Sequence, residues 1–457
     1  MTSKTPNEQL RDLIAETGAT YAAIAGDVRA IAAAHGDDLR TNKSTVEHWI
    51  SGVRPAGTTG RHVSAALSHR LGRIITEYDL GWAPAEGHND DRIGLFLVID
   101  PIDALLPLWR GDVDRRSFLN ASAYSVAAAA LPLEHMREIA ARTTASARTG
   151  LTVGMAEVAA VRDMVGAFTD LDERHGGQHG RTALIQYLRD DVAALCRGRF
   201  RTEQVRQQML SAAARGVHLA GWKAYDAGQQ GLAQRYYLWS YKLAVESGVT
   251  GQDGFVMRTM AMQGLKLNRP EHCEGLAATA LSCARGKVDP ATEALFRITH
   301  ANTLAKSGQR HEAIEETQRA HDLLARGQDE DLPFWARAWG PPQGTVLSRS
   351  AKVFQALGDV RNAAEQYGRA AACRPPTTYA RIVALDLVAE AELLLAQGGI
   401  EHACATWGRA MDHMNGVGSA RTRKAVTQMR RDLTRFRARG VTCAQQLDER
   451  AMEFLRT

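Results

Sequence analysis

The sequence of 457 residues is poor in several features that would each have fixed a function class. It has six cysteines, Cys196, Cys273, Cys283, Cys373, Cys404 and Cys443, with no CxxC pair and none in the first 195 residues. That spacing argues against a zinc site or a disulfide framework. It suits small apolar residues in a reducing cytoplasm, the expected location. Aromatic residues make up only 6%, which speaks against an all-β sandwich, because strands favour aromatic and β-branched side chains. The apolar run from Ile93 to Trp109 is interrupted by Asp100, Pro101, Asp103 and Pro107, so it cannot span about 30 Å of hydrocarbon. The opening MTSKTPNEQLRDL has no apolar signal core. No P-loop, GxGxxG after a strand, GxSxG or HExxH occurs. The expectation is therefore a protein that is not an enzyme and carries no cofactor and no metal. His272 beside Cys273, and His402 near Cys404, read as core packing rather than ligands.

What is present is ample core material, 45% hydrophobic and 23% charged. The net charge of +5 is too small to argue alone for nucleic acid. Arg115-Arg116-Ser117-Phe118-Leu119, followed by ASAYSVAAAALP, has the form of a twin-arginine export signal. It lies over 110 residues into the chain, so an Ala-rich buried helix is the better reading. Residues 82–92 are rich in Pro, Gly and polar residues and read as a linker, taken to extend over 82–112.

From Val113 to Thr457 the pattern is helical throughout, and a repeat emerges from about residue 205. Gly228, Asn268, Gly308, Gly358 and Gly398 are spaced 40, 40, 50 and 40 apart. Seven residues before them stand Gly221, Ala261, Ala301, Ala351 and Ala391. Five after stand Ala233, Cys273, Ala313, Ala363 and Ala403. Twelve after stand Ser240, Ala280, Ala320, Ala370 and Ala410. Nine after, more loosely, come Tyr237, Ala277, Thr317, Tyr367 and Trp407. Antiparallel helices approach closely only where facing side chains are small, and a turn Gly or Asn ends the first helix left-handed. The pattern resembles the tetratricopeptide repeat (TPR), stretched from a period of 34 to 40. The extra ten residues before Gly358 fit a loop at 331–344, DLPFWARAWGPPQG. Residues 113–204 are expected to add helices to the same superhelix, and 421–457 to cap it. The stretch 421–440 carries eight Lys or Arg against Asp432 alone; it reads as the solvated face of a capping helix, with a DNA or acidic-partner surface as the other reading.

The first 81 residues are a separate block. Residues 7–17 form an amphipathic helix, Tyr21–His35 a second capped by Thr20, Asn42–Ile50 a third, and Arg61–Glu77 a fourth. Val46, Trp49 and Ile50 lie at i, i+3 and i+4 and turn inward, which leaves Lys43, Ser44, Thr45, Glu47, His48 and Ser51 on the outer face. Residues 1–80 have no net charge, but 40–73 carry +5, and phosphate contacts need a basic face rather than a basic domain. A third helix with a polar outer face fits a helix-turn-helix, whose N-terminal end reaches base edges in the major groove. The competing reading is a small bundle used for protein contact.

Thr45-Val46-x-x-Trp49-Ile50-x-Gly52-x-Arg54-Pro55 resembles the recognition helix of XRE-type (Cro/C1-like) regulators. The block as a whole, with its ending Leu71-Gly72-Arg73-Ile74-Ile75-Thr76 through Asp79-Leu80-Gly81 and the internal RRSFL, is similar to large actinobacterial helix-turn-helix/TPR regulators. His48 stands where the family commonly has Arg, which removes an arginine–guanine contact from the expected readout. The resemblance implies an all-α fold: a helix-turn-helix bundle at 1–81, then a right-handed TPR-like α-solenoid at 113–457, clearest at 205–420. It implies a DNA-binding set of Asn42, Lys43, Ser44, Thr45, Glu47, His48, Ser51, Arg54 and Arg61, with double-stranded operator DNA as partner. Projecting the family's groove positions gives Arg215, His218, Trp222, Tyr225, Arg258, Asn302, Lys306 and Lys352 as residues that would take a small peptide or other small-molecule signal, by analogy with quorum-sensing regulators. A homodimer reading two half-sites is expected, with no membrane partner. The alternative is a TPR adaptor or antagonist that binds protein without specific DNA binding.

Overall fold

The structure is a computed structural model that describes residues 6–34, 37–56, 59–71, 75, 79–82, 100–113, 151–327 and 332–456. Among the described residues it is all-α apart from one two-residue pair of strands, Thr152–Val153 with Arg199–Phe200. The export-signal lookalike at 115–119 and its Ala-rich tail lie outside the described residues.

Among the described residues the N-terminal bundle has four helices, α1 Glu8–Glu16, α2 Tyr21–Ala34, α3 Lys43–Ile50 and α4 Thr59–Leu71. Its core is its own: Leu10, Ile14, Ile24, Val28, Val46, Trp49, Val63 and Leu67 pack together. The fourth helix is shorter than the expected Arg61–Glu77. Ile75 is already outside it, and its N–H donates to the Ser68 hydroxyl at 2.8 Å instead of to a helical carbonyl. Trp82 is buried against Trp49, ring centroids 5.8 Å apart and edge-on. Asn7 donates to the Leu80 carbonyl at 2.5 Å. The bundle therefore reaches residue 82.

The expected linker 82–112 is corrected at both ends. Trp82 belongs to the bundle, and α5, Pro101–Val113, is a helix. Its Ile102, Leu105, Leu108 and Trp109 are buried in the core of the repeat array. In sequence its two prolines and two acids, with Asp100 just before it, mask the apolar stripe and give the look of irregular chain. Asp112 of α5 accepts from the Tyr236 hydroxyl at 2.6 Å and pairs with Arg181, which pins this segment to the array.

The array begins earlier than its visible repeats. α6 Met155–His175 is followed by α7 Arg181–Tyr187, which passes through a π-turn at Leu188–Val192 into α8 Ala193–Cys196. Five hairpins follow at the expected anchors: α9 Glu203–Asp226 with α10 Gln230–Ser247, α11 Gln252–Lys266 with α12 Cys273–Ala284, α13 Pro290–Lys306 with α14 Arg310–Leu324, α15 Pro342–Ala356 with α16 Val360–Ala372, and α17 Pro376–Ala396 with α18 Ile400–Asp412. Each anchor lies in the left-handed region, from φ 56° at Asn268 to 90° at Gly398. The three small columns are buried as close contacts; at Gly221 a Cβ would come within 2.7 Å of the Tyr237 ring. The expected capping segment is a further hairpin, α19 Ala420–Ala438 with α20 Thr442–Arg456, turning at Gly440. The long loop before α15 folds inward. Trp335 is buried between Phe255 and Phe296, 5.3 and 6.4 Å between centroids.

The two ends of the array meet. α6 packs against α17, and the Gly418 N–H donates to the His175 carbonyl at 2.8 Å. The approach needs glycine: a Cβ at Gly176, already at φ 88°, would lie 2.6 Å from the Gly418 carbonyl oxygen. The seam is ionic. Arg381 reaches Asp172 at 2.8 Å, Asp226 at 3.3 Å and Glu173 at 3.5 Å, and Lys223 reaches Asp172 at 3.1 Å. Arg381, Lys223 and Asp226 are fully buried. The superhelix is thereby closed into a ring.

Candidate functional site

Two regions carry chemistry that the core does not use. The first is the outer face of α3. Val46 and Trp49 are buried, while Lys43, Ser44, Glu47, His48 and Ser51 are exposed. Lys43 keeps 66% of its side-chain surface and lies 3.5 Å from Glu47 one turn on. Three of the expected DNA-contacting residues also have local work. The Asn42 side chain accepts from the Thr45 N–H at 2.9 Å, and the Thr45 hydroxyl accepts from the Asn42 N–H at 3.3 Å, a reciprocal cap that starts the helix. The Ser51 hydroxyl donates to the His48 carbonyl at 2.8 Å and closes the other end. Thr45 is half-buried. Arg54 is exposed in the turn that follows. Arg61 lies in the first turn of α4, and its side chain is outside the described residues.

The second region is the interior of the ring, a cavity of about 540 Å³. That volume lies in the range of small-molecule sites. The first helix of each hairpin supplies one stripe: Arg215, His218, Trp222 and Tyr225 on α9; Thr259, Met262, Gln263 and Lys266 on α11; Asn302 and Lys306 on α13; Ser348, Arg349, Lys352 and Gln355 on α15. These spacings of three and four keep one helical face inward. α6, α17 and α19 add further wall, with Tyr237 of α10 and Tyr367 of α16. Seven of the eight residues projected for signal binding are thus brought together. Arg258 is the correction. It sits one position off the α11 stripe, is fully buried, and its Nε donates to Thr299 Oγ1 at 2.7 Å and to the Leu295 carbonyl at 2.9 Å. It ties α11 to α13 behind the wall.

The electrostatics of this interior are lopsided. Among the described residues, eight Lys or Arg and four Asp or Glu line it. Asp172 and Glu173 are taken up by the seam. Asp386 is taken up by Arg374 and by the Ser348 hydroxyl, which donates at 2.7 Å. Burial lowers Arg215 to about 10 against the pull of Asp172 and Glu173. Burial, then Arg215 and Arg258, hold the His218 imidazole far below its ordinary range, so it is neutral; its Nε2 lies 3.0 Å from the Thr259 hydroxyl. Burial, then Arg349, Lys266 and Arg421, push the Lys352 ammonium well down. Lys266 stands two before Asn268, as Lys306 stands two before Gly308, so the projection covers its position though the projected set leaves it out; sequence reasoning misses Arg349, Arg421 and Lys424. Arg349 falls one position outside the projected groove set. Arg421 and Lys424 belong to the expected solvated cap, where Arg430 and Arg437 instead bind Asp448 of the neighbouring helix.

Among the described residues, no group of three or more His, Cys, Asp or Glu is placed to hold a metal, and no helix is long and apolar enough to cross a membrane. A search of the curated proteins finds no match to the chain. The family described as SP15 N-terminal domain has a model that matches residues 10–83, a stretch that coincides with the bundle as the structure bounds it, through Trp82.

Proposed function

We propose that the chain is a ligand-responsive DNA-binding regulator. The bundle 6–82 is its DNA-reading part, and the closed ring is its signal-holding part. The observation that carries the first half is the division of α3. Trp49 and Val46 anchor its inner side while Lys43, Ser44, Glu47 and His48 are left exposed. An eight-residue helix capped at both ends by local side-chain bonds is rigid enough to present such a face to a groove. The second half rests on the ring interior, a cavity lined by charged side chains that core packing does not need. The two parts are joined in the chain by the segment that leads into α5, and α5 is docked on the ring by Asp112 and Trp109. A change of ring shape on ligand binding would move that attachment point and with it the bundle. Action as a homodimer, with two bundles on two half-sites, belongs to this proposal.

The test is selection of genomic DNA fragments by the purified full-length protein, followed by gel shift across a salt series. Specific binding that weakens steeply with salt supports the regulator. No specific fragment at low salt, with and without cell extract, rejects it in favour of a protein-binding adaptor.

A further inference from the structure

The ring interior holds more positive charge than its own acids balance, and the excess is focused. Lys266 on α11, Arg349 and Lys352 on α15, and Arg421 on α19 line the cavity from three helices. Lys266, Arg349 and Lys352 make no side-chain hydrogen bond or ion pair with any described residue. Arg421 shares Asp226 with the seam at 3.7 Å, and its guanidinium lies over the stacked rings of Trp222 and Tyr225, 5.8 and 5.5 Å from their centroids. Elsewhere on the wall, Arg215 is 4% exposed, and its Nη1 has no partner among the described residues. Among those residues Glu392 is the one lining acid outside the seam and the Arg374 pair.

Like charges held together in a partly dry enclosure cost free energy unless something neutralises them. A protein that gained only stability from this wall would have paired the cations or made them apolar. Neighbouring sites show that the chain does pair charges where it needs them: Asp386 with Arg374, Asp448 with Arg430 and Arg437. The cations left over feel Glu392 and Asp386 only at longer range, and a bound anion would supply the close counter-charge they lack.

On the reading of the ring as the signal-holding part, we propose that its ligand is a small phosphorylated molecule carrying at least two negative charges, held by Arg349, Lys352, Lys266 and Arg421. Several cations converging on one compact volume match the charge density of a phosphoryl group better than a single terminal carboxylate. Guanidinium forks bind phosphate oxygens in pairs, and ammonium groups add point charge. An extended peptide would spread its contacts along the stripe and leave the cations only partly matched. Arg421 also links the ligand to the seam, because the same guanidinium contacts Asp226 across the closure. Neutralising the cluster favours a closed ring.

The experiment uses the full-length chain without DNA, so its outcome is independent of the DNA-reading half. Inorganic pyrophosphate is the probe, with succinate and hexaglutamate as comparison anions, and binding is followed by calorimetry and thermal melting at constant ionic strength. Saturable pyrophosphate binding that raises Tm is expected, weakened about tenfold or more by Lys352→Gln or Arg349→Gln. Arg349→Gln is expected to raise the Tm of the unliganded protein, because it removes a guanidinium held beside Lys352 and Arg421, while Lys352→Gln, at an ammonium already pushed toward its neutral form, should leave that Tm unchanged or slightly raised. Weaker binding without a lower Tm distinguishes a binding role from general damage. Absence of saturable pyrophosphate binding, binding untouched by both substitutions, or tighter binding of hexaglutamate than of pyrophosphate overturns the proposal.

Discussion

Arg381 donates through Nη2 to the Asp172 carboxylate at 2.8 Å, although 209 residues separate them and both are buried. Burial alone would raise the Asp172 carboxyl; Arg381 and Lys223 hold it below its ordinary value instead. The contact joins α6, which precedes the hairpins, to α17 of the fifth hairpin. It turns an open superhelix into a ring and so defines the cavity.

Arg381→Met is therefore expected to open the seam. It strands Asp172, Asp226 and Glu173 together in a dry place, which typically costs about 3–5 kcal/mol for a buried pair broken on one side. Denaturant unfolding should show the loss, and small-angle scattering should show a larger radius of gyration in the fraction that stays folded. An unchanged radius together with unchanged stability would mean that the seam does not hold the ring.

The outer face of α3 supports a mutational contrast. Lys43→Ala and His48→Ala remove exposed side chains and should leave the Tm of the bundle within about 2–4 °C, since surface changes away from special features usually stay within about 0.5 kcal/mol. Both should lower DNA affinity, and Lys43→Ala should also flatten its salt dependence. Trp49→Ala acts from the inner side of the same helix: it empties the bundle core beside Trp82, costing about 3–5 kcal/mol. Because that core is separate from the ring's, the loss should appear as early melting of the bundle alone. Equal destabilisation by Lys43→Ala would contradict the assignment of the helix faces.

The seam also carries a pH signature. Glu173 is raised to about 7, first by burial, against the pull of Arg381, and then by Asp172 and Asp226. A carboxyl with a raised folded pKa keeps its proton in the native state while the unfolded chain has already lost it. The native state then binds more protons, so stability falls as pH rises between the unfolded value of 4.5 and about 7. Urea unfolding at pH 5.5 and 7.5 should show a fall in stability that Glu173→Gln reduces. An identical fall in the variant would place the titrating group elsewhere.

Hairpins are legible in the sequence wherever both the turn residue and the small columns survive. Gly440 turns the last hairpin in the same left-handed way, but Leu433 stands seven before it and Gln445 five after, so the columns vanish and the segment looks like a cap. At the other end, the turn between α6 and α7 runs through Gly176 and Gly180, a longer connection with no match to the 40-residue period. The groove stripe is legible because period 3.6 carries it from each anchor. Arg258 breaks the projection although Met262 and Lys266 of the same helix keep the register of the other stripes; its guanidinium is drawn instead to Thr299 and the Leu295 carbonyl on α13. The closure is not legible at all. Asp172, Lys223, Asp226 and Arg381 look like solvated surface in sequence, and only contact across two hundred residues makes them core. The cations of the cavity are hidden for the same reason: an inward face of a closed ring and an outward face of an open solenoid have the same polar pattern.

Asn268 gives the sharpest test of the turn physics. Among the described residues it is the one non-glycine with positive φ, 56°. Its N–H donates to the Leu265 carbonyl at 3.1 Å, as the turn requires. Asparagine visits the left-handed region more readily than other side-chain-bearing residues because its short amide can bond locally. Asn268→Ala keeps the hydrogen-bonding backbone but removes that local compensation, so it should cost about 1 kcal/mol. Asn268→Gly should be neutral or stabilising, since glycine carries no Cβ penalty there. The neighbouring anchors Gly308 and Gly358 have open space where a Cβ would stand but φ of 81°, so alanine at either should cost about the same through backbone strain alone. Equilibrium unfolding of the four variants tests one cause at three hairpins. An Asn268→Ala protein as stable as the parent, with both glycine variants destabilised, would show that Asn268 is not held left-handed and that the second turn closes by another geometry.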